Sequence, residues 1–244
     1  MSHKKHKFNK YTFNDDNKTL INMATTCGGV AVIDFWANGF GMRIRIALEE
    51  KGIAYQYKEE DLNNPQRSRL VLEMNPVRKS VPILVHEGRP VCDSVAILEY
   101  IDEIWKDGFP SLLPEDPYER ATARFWTHFI DNKFFPTQAT FLKSKGEAKQ
   151  EAQKELISEL KQLEEVLGDK PYFGGEKFGF FDVAFIPFSS MFYGYESHGE
   201  FKLEEECPKL SAWVKRCRER SSVSKILPDS VKMYELHKIW YGVE

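Results

Sequence analysis

The chain has 244 residues, of which 42% are hydrophobic, and a formal net charge of −3 with a pI near 6.1. A chain of this length can bury a sizeable core in one large or two small domains. The nearly balanced charge argues against nucleic acid or an anionic membrane as the main partner. No apolar run approaches the roughly 18 residues that cross a bilayer. The four cysteines lack CxxC or metal-ligand spacing, which argues against a disulfide scaffold or zinc site and favours a reducing cytosol.

Residues 1–26 are predicted to form a flexible N-terminal extension. The stretch is mostly polar and rich in lysine. It contains no apolar segment of the kind that a secretory signal needs. The expected location of the protein is therefore the cytoplasm.

Residues 27–105 show strands that alternate with helices. The run 30–36, VAVIDFW, is β-branched and aromatic, which is typical of a strand buried on both faces. Further segments are predicted as a helix from Phe40 to a stop at Gly52, a strand at 54–57 and a short helix at 66–72. With the hairpin and helix described next, the order β-α-β-α-β-β-α predicts a small mixed sheet of thioredoxin type.

The stretch 75–97 reads NPVRKSVPILVHEGRPVCDSVAI. The apolar run 83–85 is turned back by HEGR into a second short run, which predicts a β-hairpin. Asp93 and Ser94 then precede apolar residues at helical spacing. An acid and a hydroxyl therefore stand where a helix is expected to begin.

Val81 and Ser94 make this stretch a candidate site for a small peptide. Pro82 restricts Val81 to an extended shape and cannot donate a hydrogen bond, which leaves the backbone of Val81 free to pair with another extended molecule. A carboxylate of that molecule could meet the Ser94 hydroxyl and the positive end of the helix dipole. The alternative is purely structural, a hairpin joined to a helix that Asp93 and Ser94 merely cap.

Residues 106–117 contain a glycine and three prolines and are predicted to be a linker between domains. Beyond them, residues 118–244 have helical periodicity throughout. The apolar faces include one formed by Tyr118, Ala121, Phe125 and Phe129 and a second that runs from Ala148 to Leu167. Asp182 follows Gly179 by three residues, which predicts that its carboxylate caps the start of a helix.

Several motifs together resemble the glutathione transferases, and the plant tau class in particular. Besides the stretch 75–97 they include FGMRIRIALEEKGIAY, KEEDL, EYIDEIW, LLPEDPYERATARFW, FGFFD and the tail segments ECPKL and SVSKILPD. The likeness covers residues 31–244. It implies an α/β thioredoxin-like N-terminal domain that binds glutathione and an all-α C-terminal domain with a hydrophobic acceptor site. It also implies a homodimer that uses glutathione as cosubstrate and no metal.

The resemblance further implies roles for particular residues. It assigns the γ-glutamyl end of glutathione to Asp93 and Ser94 and the cysteinyl backbone to Val81. It assigns the glycine carboxylate to Arg67 and to the position of Ser80, where tau enzymes carry a lysine. The residues implied to line the acceptor site are Phe40, Phe135, Leu142 and Met191.

Asn38 is the implied catalytic residue. Tau enzymes carry Trp-x-Ser-Pro-Phe-Gly, whose serine donates a hydrogen bond to the glutathione sulfur, whereas this chain reads WANGFG at 36–41. A free thiol has a pKa of about 8.5, and a hydrogen bond to a charged group contributes roughly 1.5–3 kcal/mol, enough to lower that pKa by one or two units. The Asn38 amide NH2 can supply such a bond. The alternative is that Asn38 is a turn residue beside Gly39.

The residues and the resemblance together predict an enzyme that conjugates reduced glutathione to hydrophobic electrophiles or uses the same thiolate to reduce organic hydroperoxides. The alternative, from a different functional class, is a weakly catalytic or non-catalytic carrier of hydrophobic small molecules, of the ligandin kind. The replacements at Asn38 and Ser80 favour that alternative.

Overall fold

A four-stranded mixed sheet lies at the centre of the first half of the computed structural model, which describes residues 29–107 and 110–243. The strands are β1 (Val30–Asp34), β2 (Gln56–Glu59), β3 (Ile83–His86) and β4 (Arg89–Cys92). Their order across the sheet is β2-β1-β3-β4. The first strand pairs in parallel with β2 and antiparallel with β3, and β3 and β4 form the predicted hairpin. The predicted N-terminal extension, 1–26, lies outside the described residues.

Three helices accompany this sheet, namely α1 (Gly39–Glu50), α2 (Arg69–Met74) and α3 (Ser94–Ile104). The order β1-α1-β2-α2-β3-β4-α3 confirms the thioredoxin-type arrangement. All five residues of β1 are buried, as expected for a strand covered on both faces. Because β1 is an inner strand of the sheet and is followed by α1, that helix begins close to the carboxyl end of β1.

The second half is helical, which confirms the predicted all-α part of the fold. Its helices are α4 (Pro117–Phe129), α5 (Phe135–Lys143), α6 (Gly146–Leu167), α7 (Phe180–Phe185), α8 (Phe192–Gly199), α9 (Leu203–Glu206), α10 (Pro208–Arg218), α11 (Ser221–Ser224) and α12 (Ser230–Tyr241). A π-helical turn, Ile130–Phe134, joins α4 to α5, and a 3-10 segment, Ile186–Met191, joins α7 to α8. Within the described ranges, every helix is too short or too polar to span a membrane.

Asp182 secures the start of α7 with four hydrogen bonds. Its Oδ1 accepts from the N–H of Phe173 at 2.9 Å and from the indole Nε1 of Trp213 at 2.8 Å. Its Oδ2 accepts from the N–H groups of Gly174 and Gly179, both at 3.0 Å. The predicted capping role is confirmed, and the buried carboxylate also joins the preceding loop to α10.

The two predicted apolar faces have different surroundings. In α6 the stripe is buried from Ala152 to Leu167, and only its first member, Ala148, is exposed. In α4, by contrast, Tyr118 is 80% exposed and Phe125 is 60% exposed. The described part of the chain therefore leaves an apolar face of α4 uncovered, and such a face is a candidate surface for a partner.

Buried polar contacts fix the end of α1 against the second half. The Glu50 carboxylate accepts two bonds from Arg220, at 2.9 and 2.6 Å, and another from the Ser222 hydroxyl. Within the first half, the fully buried Lys51, which follows α1, pairs with Asp102 of α3 at 2.9 Å, and it also donates to the Pro110 carbonyl at 2.8 Å. Because α1 is held at this end, its other end has a fixed position at the boundary between the two halves.

Candidate active site

A cavity of about 750 Å³ opens where α3 faces α4 and the π-helical turn. Small-molecule sites in proteins typically enclose about 300–1,000 Å³. Five residues that the sequence analysis selected line it, namely Phe40, Ser80, Val81, Asp93 and Ser94. The predicted peptide site is therefore a concave space rather than a flat sheet edge.

Val81 presents its backbone at the wall of this cavity. The Val81–Pro82 peptide bond is cis, which the sequence analysis did not predict. Pairing of β3 with its neighbours begins only at Ile83. Within the described residues, the N–H and C=O of Val81 make no hydrogen bond. They remain available for an extended ligand, as predicted.

Asp93 both caps α3 and lines the cavity. Its Oδ1 accepts from the N–H groups of Val95 and Ala96, at 3.1 and 3.4 Å. Its Oδ2 pairs with the Arg78 guanidinium at 2.9 Å. The φ angle of Asp93 is +80°, a conformation that a residue with a side chain rarely adopts and that is found at functional sites. The structural alternative, helix capping, therefore explains the hydrogen bonds of Oδ1. It does not explain why Asp93 also lines the cavity.

Arg43 is the principal residue that the sequence analysis missed. It is fully buried in α1 and donates to the Ser94 hydroxyl at 3.0 Å. Its guanidinium also makes two bonds to the Asp131 carboxylate, at 3.2 and 2.6 Å, and one to the Ala184 carbonyl at 2.7 Å. Arginine is almost never fully buried unless paired. The signal in the sequence was the pair of arginines, Arg43 and Arg45, inside an apolar helix.

Asp131 brings a carboxylate from the second half of the chain to the cavity. It lies in the π-helical turn 130–134, and π-bulges are frequent at functional sites. Its side chain is 22% exposed and lines the cavity with Ser94. One guanidinium thus holds a hydroxyl and a carboxylate together. This pairing suits a group that carries both a carboxylate and an ammonium, such as a free α-amino-acid group joined to the rest of a ligand through its side chain.

The basic residues near the cavity differ in position. Arg67 donates to the Asn64 carbonyl at 2.6 Å and lies outside the cavity lining. Ser80 lines the cavity, as does Arg78, which the sequence analysis did not select. The structure therefore brings Arg78, rather than Arg67, to the wall beside Ser80.

Asn38 caps α1 with both ends of its amide in use. Its Oδ1 accepts from the N–H of Phe40 at 3.2 Å, and its Nδ2 donates to Oδ1 of Asp34 at 2.7 Å. An amide NH2 carries two N–H groups, so one remains for a further acceptor. The side chain is half-buried, next to the cavity-lining Phe40. Asn38 therefore has the predicted role of a turn residue, and it can donate to a ligand only through its second N–H.

Gly41 has no side chain, and the buried Asp34 carboxylate occupies the position that a Cβ atom would take. A Cβ atom at Gly41 would lie 1.8 Å from Oδ2 of Asp34. We therefore expect Gly41→Ala to lower the free energy of unfolding by about 2 kcal/mol, within the range of overpacked cores. Urea denaturation measures this loss. Gly39→Ala is the control, because its Cβ would lie 3.4 Å from the Phe188 ring, and equal stability of the two variants would contradict this packing.

The predicted acceptor residues separate into two pairs. Phe40 and Phe135 contact each other edge to face, with ring centroids 5.0 Å apart, and both pack on Phe188. Leu142 and Met191 are buried in the core, 1% and 5% exposed. Phe40 and Phe135 therefore form an aromatic cluster with Phe188, whereas Leu142 and Met191 belong to the buried apolar core.

The last helix, α12, reaches across to the first half. The Trp240 indole donates to Oδ1 of Asn63 at 2.8 Å, and its ring lies 5.6 Å from that of Phe35. The Lys232 ammonium lies 4.4 Å from the Trp36 ring centroid. This helix therefore covers the segment that leads into α1.

Comparison with known proteins gives matches over both halves. The family models for the N-terminal and C-terminal domains of glutathione S-transferase match residues 30–103 and 102–221. Glutathione S-transferase 3 of Glycine max is 56% identical over 85% of this chain and 93% of its own length. Glutathione S-transferase U25 of Arabidopsis thaliana is 54% identical over 84% and 91%.

Solved structures give the same picture. Rice GST1, solved in complex with glutathione, superposes with a TM-score of 0.83 at 42% identity, covering 87% of this chain and 96% of that one. A tau-class glutathione S-transferase from mango, Mangifera indica, gives a TM-score of 0.81 at 36% identity over 86% and 97%.

Proposed function

Because this chain belongs to the glutathione S-transferase family, in its tau class, we propose that it conjugates reduced glutathione to hydrophobic electrophiles. The observation that carries the proposal is the cavity in which Arg43 holds the Ser94 hydroxyl and the Asp131 carboxylate. The unpaired backbone of Val81 and the Phe40 side chain in the first turn of α1 line the same cavity.

The γ-glutamyl end of glutathione suits the end of the cavity formed by α3. Its carboxylate would accept from the Ser94 hydroxyl near the positive end of the α3 dipole. Its ammonium would pair with Asp131 and with Asp93, whose side chains are 22% and 38% exposed. The cysteinyl backbone would then pair with Val81.

The glycine carboxylate would lie toward the basic rim. Arg78 and Ser80 line that rim and supply a guanidinium and a hydroxyl. Arg67 remains a proposed contact, since it is exposed enough to exchange the Asn64 carbonyl for a carboxylate. A guanidinium binds a carboxylate with two parallel hydrogen bonds and so favours this end of the tripeptide.

The sulfur would lie at the start of α1, where the second N–H of Asn38 donates to it. One such bond is enough to lower the thiol pKa by about one unit. Phe40 and Phe135, with Leu142 and Met191 behind them, supply an apolar wall for the acceptor. The same thiolate would reduce organic hydroperoxides.

We also propose how the chain is divided and assembled. Residues 27–105 would bind glutathione and 118–244 the acceptor, with 106–117 as the linker. The uncovered face of α4, with Tyr118 and Phe125, supports a homodimer because a partner subunit would remove this apolar surface from water. The free thiols among the described residues support a cytoplasmic location, where thiols stay reduced.

A conjugation assay with a chloronitrobenzene tests the proposal on the pure protein, with Asn38→Ser beside it. Substantial turnover by the unchanged chain supports the enzyme. The engaged amide of Asn38 favours the second candidate, a ligandin-type carrier. Turnover that occurs only in the serine variant would establish that candidate instead.

Ser94→Ala is expected to raise the Kd for glutathione by about tenfold or more, because a hydrogen bond to a charged group contributes roughly 1.5–3 kcal/mol. Isothermal titration calorimetry measures the change. Ser224→Ala, at an exposed position in α11, is the control and should bind as the unchanged chain does. An unaltered Kd for the Ser94 variant would show that this hydroxyl does not bind glutathione.

A further inference from the structure

We propose that Asp34 is a positioning residue, which orients the Asn38 amide so that one N–H points away from the protein core and serves the glutathione sulfur. The inference rests on the proposed conjugation activity. It concerns a residue beneath the site, which would act only through Asn38.

Asp34 is a buried acid that the fold alone does not explain. It is fully buried at the end of β1. Within the described residues its Oδ2 has no hydrogen-bond partner, and the guanidinium of Arg45 lies 3.6 Å from it. Burying a carboxylate with so few partners is costly. The one close side-chain bond it makes is to Asn38, at 2.7 Å.

The two partners of Asn38 allow a single orientation of its amide. Only Oδ1 can accept from the N–H of Phe40, and only Nδ2 can donate to an ionised Asp34. A reversed amide would place its oxygen against the carboxylate and its NH2 against the N–H of Phe40. Both contacts would be repulsive, so the second N–H of Nδ2 is the donor that remains.

The orientation depends on the charge of Asp34. The polar and titratable groups near it are Asn38, Arg45 of α1, Tyr55 before β2, and Tyr57 and Glu59 of β2, where the Tyr57 hydroxyl donates to the Asp34 backbone carbonyl. Burial raises the pKa of Asp34 to about 7, and Arg45 and the Asn38 amide oppose the rise. A protonated Asp34 would donate its O–H to the Asn38 oxygen. The amide is therefore held in the useful orientation above this pKa and is released as the pH falls below it.

Asp34→Asn tests the inference with a side chain of the same size. The charge of Arg45 would attract the single remaining oxygen at position 34, so that the new NH2 would face the Asn38 NH2. Two donors would then oppose each other and favour the reversed amide. The Asn38 oxygen would turn toward the sulfur and repel the thiolate.

The experiment measures the pH midpoint of thiolate formation in bound glutathione, by the ultraviolet absorbance of the thiolate. Four proteins are compared: the unchanged chain, Asp34→Asn, Asn38→Ala and the double variant. We expect Asp34→Asn to raise the midpoint by about one pH unit and to lower kcat/KM by about tenfold near neutral pH. In the Asn38→Ala background, the same change should have no effect.

Two results would overturn the inference. A midpoint that stays constant in Asp34→Asn would mean that the carboxylate has no influence on the thiolate, and a midpoint that falls would mean that it only repels the thiolate. An equal shift in the Asn38→Ala background would mean that Asp34 does not act through the amide. An unchanged chain that binds glutathione without turnover would instead overturn the proposed function.

A second measurement needs no variant at position 34. In the unchanged chain, the side-chain amide NMR signal of Asn38 is assigned by its loss in Asn38→Ser. We expect its two protons to shift as Asp34 titrates and one of them to shift on saturation with glutathione. Signals that follow neither the pH nor the ligand would contradict the inference even if Asp34→Asn fails to fold.

Discussion

Replacing Asp182 with alanine is expected to lower the free energy of unfolding by about 4 kcal/mol or more. The carboxylate accepts four hydrogen bonds, three from backbone N–H groups and one from the Trp213 indole. A buried donor left without a partner costs roughly 1–3 kcal/mol, and loss of a whole buried network is among the few changes that exceed 4 kcal/mol. Urea denaturation followed by circular dichroism measures the loss.

Two variants make this result specific to the network. Asp182→Asn keeps one oxygen but turns an NH2 toward donors, so we expect nearly the same loss as with alanine. Asp169→Ala removes an acid that is 94% exposed and paired with Lys209, and it should unfold at the same urea concentration as the unchanged chain. All proteins are compared at one concentration, because dimerisation would add to apparent stability. An Asp182→Ala midpoint equal to that of Asp169→Ala would show that the four bonds do not stabilise the fold.

Arg43→Met is expected to raise the Kd for glutathione by about 100-fold. The change releases both the Ser94 hydroxyl and the Asp131 carboxylate, and each contact with a charged ligand group contributes at least about 1.5 kcal/mol, or about tenfold in Kd. It is also expected to lower the free energy of unfolding by about 3 kcal/mol, since breaking a buried ion pair leaves one charge uncompensated. Calorimetric titration and urea denaturation measure the two effects.

Replacing Asp131, the partner of Arg43, with a neutral residue separates the effect on glutathione binding from the effect on the free energy of unfolding. In the double variant Arg43→Met with Asp131→Asn, the uncompensated charge is gone, so we expect part of the stability to return while binding stays weak. Arg69→Met is the control, because that arginine is 71% exposed and pairs within its own helix with Glu73. Glutathione binding by Arg43→Met as tight as by the control would contradict the role of Arg43.

The sequence predicted the parts of the site that lie close together along the chain. Ser80, Val81, Asp93 and Ser94 fall within 15 residues, where proline, the turn and the cap leave local signals. The order of strands and helices follows from the same signals and from apolar periodicity. These features depend on neighbouring residues and can be predicted without a structure.

Contacts between distant residues left no comparable signal. Arg43 and Asp131 are 88 positions apart, and Trp240 and Asn63 are 177 apart. Periodicity shows that a helix face is apolar but not what covers it, so the exposed Phe125 of α4 and the buried Leu160 of α6 look alike in sequence. The contact of Asp34 with Asn38 spans only four positions, but it was missed because a strand pattern does not show which group its one acid contacts.

The guanidinium that crosses from α1 to the second half limits how relatives can be recombined. Arg43 requires an acid at 131 and a carbonyl at 184, both encoded far downstream. A chimera that joins this N-terminal half to a C-terminal half lacking that acid would keep the proposed glutathione contacts of residues 80–94, but the Arg43 guanidinium beside Ser94 would have no counter-charge. We therefore expect an exchange of halves between relatives to give a stable protein only when residue 131 of the new C-terminal half is also acidic.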